Sequence, residues 1–162
     1  MQHELWPAEG QRRWQVITDT VMGGVSQGTL QLAEIEGRMA ARMRGAVSTE
    51  NNGGFIQIAM DLSPDRGAFD ASGFSGITAE LLGNGEAYGL HLRTTDLARP
   101  QQSYRHPLLA GPHWQVIQFP FAEFIPHRTD VPFDPRRLRR IGLVAIGREF
   151  DADLSVARLW LY

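Results

Sequence analysis

The run "TDTVMGGVSQG", residues 18 to 28, places an acid, two adjacent glycines and a serine close together, and its "GVSQG" is a formal match to G-x-S-x-G. In hydrolases with that motif the serine is a nucleophile at a sharp strand-to-helix turn. Here the strand-like "WQVIT" ends at Thr18 and seven loop residues precede Ser26, so the serine reads better as a partner of its own loop backbone. A second glycine pair closes "ENNGG", residues 50 to 54. A third run, "GNGEAYG" at 83 to 89, has G-x-G but neither the further glycine nor the following helix of a dinucleotide fingerprint. It reads as a hairpin in which Asn84 and Gly85 supply positive backbone angles.

The remaining reactive side chains are sparse. His3, His91, His106, His113 and His127 include no pair at the close helical spacing of a zinc site, so only strand pairing would bring two such as His106 and His113 together. Surface or hydrogen-bonded roles are expected for them, with no metal and no cofactor. Arg136, Arg137, Arg139 and Arg140 in "DPRRLRRIG" form a local basic patch, read first as a solvated face before a strand and second as a contact for an anionic partner. Trp6, Trp14, Trp114 and Trp160 raise the question of sugar stacking. Trp114 and Trp160 lie in the strand-like runs "HWQVIQF" and "LSVARLWLY", where an indole more often fills a core.

Composition narrows the chemistry further. All sixteen basic side chains are arginine, which removes lysine Schiff-base chemistry and the lysine of a P-loop. The chain has no cysteine, so disulfides, thiolate metal sites and cysteine nucleophiles are excluded. A formal charge of -2 supplies no field to draw in nucleic acid or an anionic membrane. The start, "MQHELWPAEGQRRW", lacks a basic segment followed by an apolar one, and no run of 18 apolar residues occurs. The expectation is a cytoplasmic protein that reaches a membrane only through a partner and does not insert directly.

The elements that must position these residues are strands. Ile56, Ile58, Met60 and Leu62 alternate with Gln57, Ala59 and Asp61, and similar alternation recurs at Ile77, Ala79, Leu81, at Tyr88, Leu90, Leu92 and at Ile141, Leu143, Ala145. Turn-rich pieces punctuate the chain too often for long helices. Leu32, Ile35, Met39 and Met43 fall at helix-like intervals, but Gly37 between them predicts two strands joined near Glu36 and Gly37. A chain of 162 residues is one domain, residues 1 to 162, and the pattern predicts an all-β sandwich of antiparallel strands.

Taken together, "WQVITDTVMGGVSQG", "GAVSTENNGGF", "GNGEAYGLHLR" and "HWQVIQFPFAEFIP" resemble, in order and spacing, the complex I intermediate-associated protein 30 family. The blocks span residues 14 to 126, and the final strands fit the family's ending. The resemblance implies a jelly-roll β-sandwich similar to galactose-binding domains and carbohydrate-binding modules. It also implies assembly: eukaryotic relatives act as chaperones that hold membrane-arm intermediates of the respiratory NADH:ubiquinone oxidoreductase. On that resemblance the chain is a non-enzymatic binding or assembly module whose partner is a protein, a subunit or assembly intermediate of a respiratory or other membrane-associated complex. A carbohydrate-binding module is the runner-up reading, and a hydrolase using Ser26 a distant third.

Two groups of candidate residues follow. In the first loop Asp19 is read as an acceptor for backbone N–H groups, Gly23 and Gly24 as positions of unusual backbone angle or close approach, and Val21 and Met22 as plugs into the core. "ENNGG" is its companion, so that Gly53 and Gly54 lie beside the first pair, and Asp19, Asn51 and Asn52 either face a ligand or lock the sandwich. The second group follows from alternation. If Tyr88, Leu90 and Leu92 point inward, His91 and Arg93 point outward, and so do Glu80 and Gln57 on neighbouring strands. These four are expected to share one polar patch, a candidate contact for the partner.

Overall fold

The computed structural model describes residues 1–7 and 12–162, which form twelve strands: β1 (His3–Trp6), β2 (Gln15–Thr18), β3 (Gln27–Ile35), β4 (Arg38–Val47), β5 (Phe55–Asp61), β6 (Gly76–Gly83), β7 (Ala87–Thr94), β8 (Ser103–Leu109), β9 (Gln115–Pro120), β10 (Ile125–His127), β11 (Leu138–Ile146) and β12 (Phe150–Leu161). Single turns of 3-10 helix occur at Asp19–Met22, Glu50–Asn52, Phe121–Glu123 and Pro135–Arg137. The strands make two antiparallel sheets. The first runs β3-β4-β12-β6-β9, with β1 also paired to β12, and the second runs β10-β8-β7-β11-β5-β2. This is the all-β jelly-roll sandwich that the alternation and the resemblance predict.

The core forms because each sheet turns one set of alternate residues inward. Ile56, Ile58 and Met60 of β5, Leu90 and Leu92 of β7 and Ile141 and Leu143 of β11 are fully buried from one side. Ala41, Met43, Ile77, Leu81, Leu154 and Val156 meet them from the other. Burying each large aliphatic side chain contributes about 1.5–3 kcal/mol, so the interleaved rows hold the sheets together. The helix-like spacing in the third and fourth strands loses to pairing: β3 and β4 match from Gln27↔Ala46 to Ile35↔Arg38, and Glu36 and Gly37 turn with φ of 45° and 81°. A two-residue turn with both φ positive suits the right-handed twist of a hairpin.

The stretch at 83–89 is not a hairpin. β6 pairs with β12 and β9 in the first sheet, whereas β7 pairs with β8 and β11 in the second, so the connection crosses between layers. Gly85 has the expected positive φ of 81°, but Asn84 works through its side chain. Its Oδ1 accepts from the Tyr88 hydroxyl at 2.6 Å and its Nδ2 donates to the Asp151 carbonyl at 3.0 Å. Asn84 therefore clamps the crossover to both β7 and β12.

Candidate functional site

The two glycine-rich loops do meet, and Asp19 is what they meet around. Its side chain is 0% exposed. Oδ1 accepts from Ser26 N at 2.9 Å; Oδ2 accepts from the Ser26 hydroxyl at 2.5 Å, from Gly54 N at 2.6 Å and from Phe55 N at 3.3 Å. Burial alone would raise the pKa of this acid, but these hydrogen bonds outweigh it and hold the carboxyl below its ordinary value. Ser26 completes the cluster, since its Oγ also lies 3.1 Å from the Ser48 carbonyl and accepts from Ser48 N at 2.8 Å. At 2% exposure that hydroxyl is a structural link between loops.

The glycines divide the work. Gly23 takes φ of 86° in open space, as the left-handed end of the first 3-10 turn. Gly24 has no such angle, but a Cβ there would stand 2.6 Å from Asp19 Oδ1, and one on Gly53 would stand 2.9 Å from Asp19 Cγ and 3.0 Å from Gly24 Cα. Only residues without side chains admit this approach. Asn51 and Asn52 lie exposed at the tip, both with positive φ, so the structure separates them from the enclosed Asp19. Val21 and Met22 correct the expectation of core plugs: they are 75% and 59% exposed. The 3-10 turn needed to aim Asp19 inward turns these two outward.

The expected four-residue patch is split between sheets. Glu80 lies on β6, in the first sheet, where it pairs with Arg38, while Gln57, His91 and Arg93 lie in the second. The crossover after Gly83 is the reason, because neighbours in sequence need not be neighbours in a sheet. Within the second sheet the register sets one row across the outer face, Ile125–Arg105–His91–Gly142–Ala59–Gln15. The next row runs Pro107–Gly89–Val144–Gln57–Ile17. Gln57 and His91 bend over glycines: a Cβ on Gly142 would meet Gln57 Oε1 at 2.7 Å, and one on Gly89 would meet His91 Nε2 at 2.8 Å.

Beside these residues a groove of about 400 Å³ lies between β7, β8, β10 and the β11–β12 turn, within the range of small-ligand sites. Its lining includes His91, Arg105, His106 and His127, with Pro107, Ile125, Pro126 and Ile146 as apolar walls and Arg148 at one end. Ile125 is 67% exposed. Desolvation, and then the charges of Arg105 and His127, push the His91 pKa down to about 3, so the ring is neutral at pH 7. Gly147 N donates to the Gly54 carbonyl at 3.0 Å, which ties the loop cluster to the end of the groove beside Ile146.

Arg93 is turned away from the groove's ligand space. Its Nη1 donates to the carbonyls of Arg99 (2.8 Å), Pro100 (3.2 Å) and Gln102 (2.5 Å), so it ties down the 95–102 loop. Of the arginine run that leads into β11, Arg136 pairs with Asp134, Arg137 with Asp96 and Asp134, and Arg140 with Asp61, while the Nε of Arg139 is buried without a hydrogen-bond partner among the described residues. Sequence reasoning missed Arg105, Ile125 and the groove role of His127. The alternation of Ser103, Arg105 and Pro107 with Tyr104, His106 and Leu108 in "SYRHPLL" was the available signal. Among the described residues no group of three or more His, Cys, Asp or Glu side chains is placed to hold a metal ion, and no helix is long and apolar enough to cross a membrane.

Among solved structures, the family 11 carbohydrate-binding module of the cellulosomal cellulase Lic26A-Cel5E of Clostridium thermocellum matches with a TM-score of 0.78 at 12% identity, over 99% of this chain and 94% of that one. The family 30 module of the cellulosomal cellulase Cel9D-Cel44B of the same organism matches with a TM-score of 0.71 at 10% identity, over 100% and 97%. At these identities the likeness establishes the fold. No curated protein matches the chain. The sequence model of the family described as Complex I intermediate-associated protein 30 (CIA30) matches residues 3–156. The matched span includes the two loops that close on Asp19, and the chain belongs to the CIA30 family.

Proposed function

We propose that the chain is a non-catalytic binding module that holds a protein, a subunit or assembly intermediate of a respiratory or other membrane-associated complex, in the groove on the outer face of the second sheet. The family membership supports the class of partner, and the groove's make-up supports the mode of binding. The observation that carries the choice is the absence of an exposed aromatic ring along the described lining. Its one Tyr, Trp or Phe is Tyr88, which is 5% exposed and has its hydroxyl committed to Asn84 and to Asp153 N. An aromatic ring that could stack against a pyranose is thus not offered by the described lining, whereas its proline and isoleucine walls offer apolar surface to a protein segment.

The carbohydrate reading draws on the fold likeness, including a family 11 module in complex with a β-1,3-1,4-mixed-linked tetrasaccharide at a TM-score of 0.75 and 14% identity. One experiment separates the two. A photo-crosslinking amino acid at Ile125 in the native cell is expected to trap a discrete protein from the membrane fraction, while the same label at the exposed Leu32 of the first sheet traps none. A mixed-linkage glucan that retards the protein on affinity electrophoresis, with no crosslinked protein, would sink the protein-partner reading in favour of the sugar.

A further inference from the structure

Among the described residues eight of the sixteen arginines, Arg38, Arg42, Arg66, Arg136, Arg137, Arg140, Arg148 and Arg158, have a carboxylate within 4.0 Å, and of the other eight Arg105 is the one that lines the groove. Arg105 has none among the described residues, although it sits half-buried in the middle of the groove, flanked by Ile125 and His91 in the register row. Its Nε donates to Ser103 Oγ at 2.9 Å, which fixes the plane of the guanidinium and leaves the Nη edge for a ligand. Burial, followed by the charge of Arg128, presses its pKa down. Beside it, neither ring nitrogen of His91 has a protein hydrogen-bond partner among the described residues. Among the described residues no carboxylate lines the groove.

A single held guanidinium presents a planar fork that matches a carboxylate by two parallel hydrogen bonds. We propose that the groove is a receptor for a carboxylate, an aspartate or glutamate side chain on a segment of the partner protein, gripped by Arg105 and hydrogen-bonded by His91, with its apolar neighbours against Ile125 and Ile146. The proposal rests on the protein-binding reading above. It adds that the partner's docking segment is acidic, and that the missing counter-charge of Arg105 is supplied from outside the chain.

The test is a selection from displayed, end-capped octapeptides randomised over aspartate, glutamate, asparagine, glutamine and aliphatic residues, with oligogalacturonate as a parallel probe. Selected peptides are expected to carry a carboxylate at one fixed position, bound at least tenfold tighter than the matching amide. Arg105→Gln should bring acid and amide to parity with an unchanged melting temperature, Arg105→Lys should keep part of the preference, and Arg44→Gln on the opposite sheet should leave it intact. No enrichment of acids, or a preference that survives Arg105→Gln, overturns the proposal. Oligogalacturonate bound more tightly than any peptide overturns the peptide source. A protein trapped at Ile125 without any acid preference would sink this inference alone and leave the protein-binding reading standing.

Discussion

Two polar clusters sit within a few residues of each other in this molecule, and they are built on opposite plans. Around Asp19 each carboxylate oxygen is bonded, the serine that bonds it is bonded in turn, and two glycines remove the side chains that would stand in the way. Around Arg105 and His91 glycines also make room for side chains, His91 over Gly89 and Gln57 over Gly142, but the groove beside them is open and the polar atoms facing it are short of partners. A buried polar group costs free energy unless its hydrogen bonds are met. The first cluster meets that cost within the chain and so belongs to stability. The second leaves those bonds open, which is what the proposed binding role requires. The same residue type, glycine beside a polar side chain, serves both, and the difference lies in whether the bonds close.

The sharpest way to break this comparison is to open the closed cluster. Asp19→Ala strips the acceptor from Ser26 N, Gly54 N and Phe55 N in a fully buried setting. The expected cost is about 3–5 kcal/mol, since each unsatisfied buried group costs about 1–3 kcal/mol and the loops relax in part. In thermal unfolding that is a fall of roughly 10 °C for a domain of this size. A loss below about 1 kcal/mol would mean that the cluster is not what closes the sandwich at this end.

A smaller effect distinguishes the two neighbouring glycines. Gly24→Ala puts a methyl against the Asp19 carboxylate and is expected to cost about 2–3 kcal/mol, as an overpacked buried site does. Gly23→Ala meets open space and is charged only for its left-handed backbone, about 1 kcal/mol. Equal losses in melting temperature would show that backbone angle, not the approach to Asp19, makes the pair glycine.

Acid should separate the clusters by pH window. The folded-state pKa of His91, about 3, lies below its ordinary 6.5, so between those values the unfolded chain binds a proton that the folded chain does not. Stability is therefore fully present above pH 6.5 and declines as pH falls toward 3. The depressed pKa of Asp19 acts lower, keeping its contribution above 3.8 and losing it as pH falls through the folded-state value. Urea denaturation across pH 4 to 7 is expected to show a slope that His91→Gln flattens and that Asp19→Asn does not. A slope unchanged by His91→Gln would place the proton uptake elsewhere.

How much of this was legible from residues follows from which interactions are local. Inward alternation at Ile56, Ile58, Met60, Leu90, Leu92, Ile141 and Leu143 was readable because side-chain direction along a strand repeats every second residue, and all seven are buried. The pairing of the two glycine loops was readable for a similar reason, since acid, glycine and serine types announce a built turn. Sheet membership was not. The Asn84–Gly85 pair carries the strongest short hairpin signal, yet Asn84 spends its side chain on Tyr88 and the Asp151 carbonyl, and the chain crosses layers. Arg93 and Arg105 look alike in sequence, each alternating with buried neighbours. What separates them is the 95–102 loop folding back on one and nothing folding back on the other, a fact of tertiary contact.

The smallest expected effect comes from Glu80, which sharpens the comparison by supplying a third case, a polar face that is satisfied yet solvated. Glu80, whose side chain is 13% exposed, pairs with Arg38 at 44%, so the pair on the outer face of the first sheet is solvated from the arginine side. Nearby, Arg42 pairs with Asp153 at 2.7 Å and Arg158 pairs with Glu4 while stacking on Trp160 at 4.0 Å. Ion pairs of this kind are screened by water and ordered at an entropic cost, and typically contribute less than about 1 kcal/mol. Glu80→Gln should therefore shift the melting temperature by only a few degrees. Because β6 belongs to the sheet that carries no part of the groove, the same variant should leave crosslinking at Ile125 and any acid preference unchanged. A loss of partner capture with the fold intact would move the binding face to the first sheet and reverse the assignment made from Arg105.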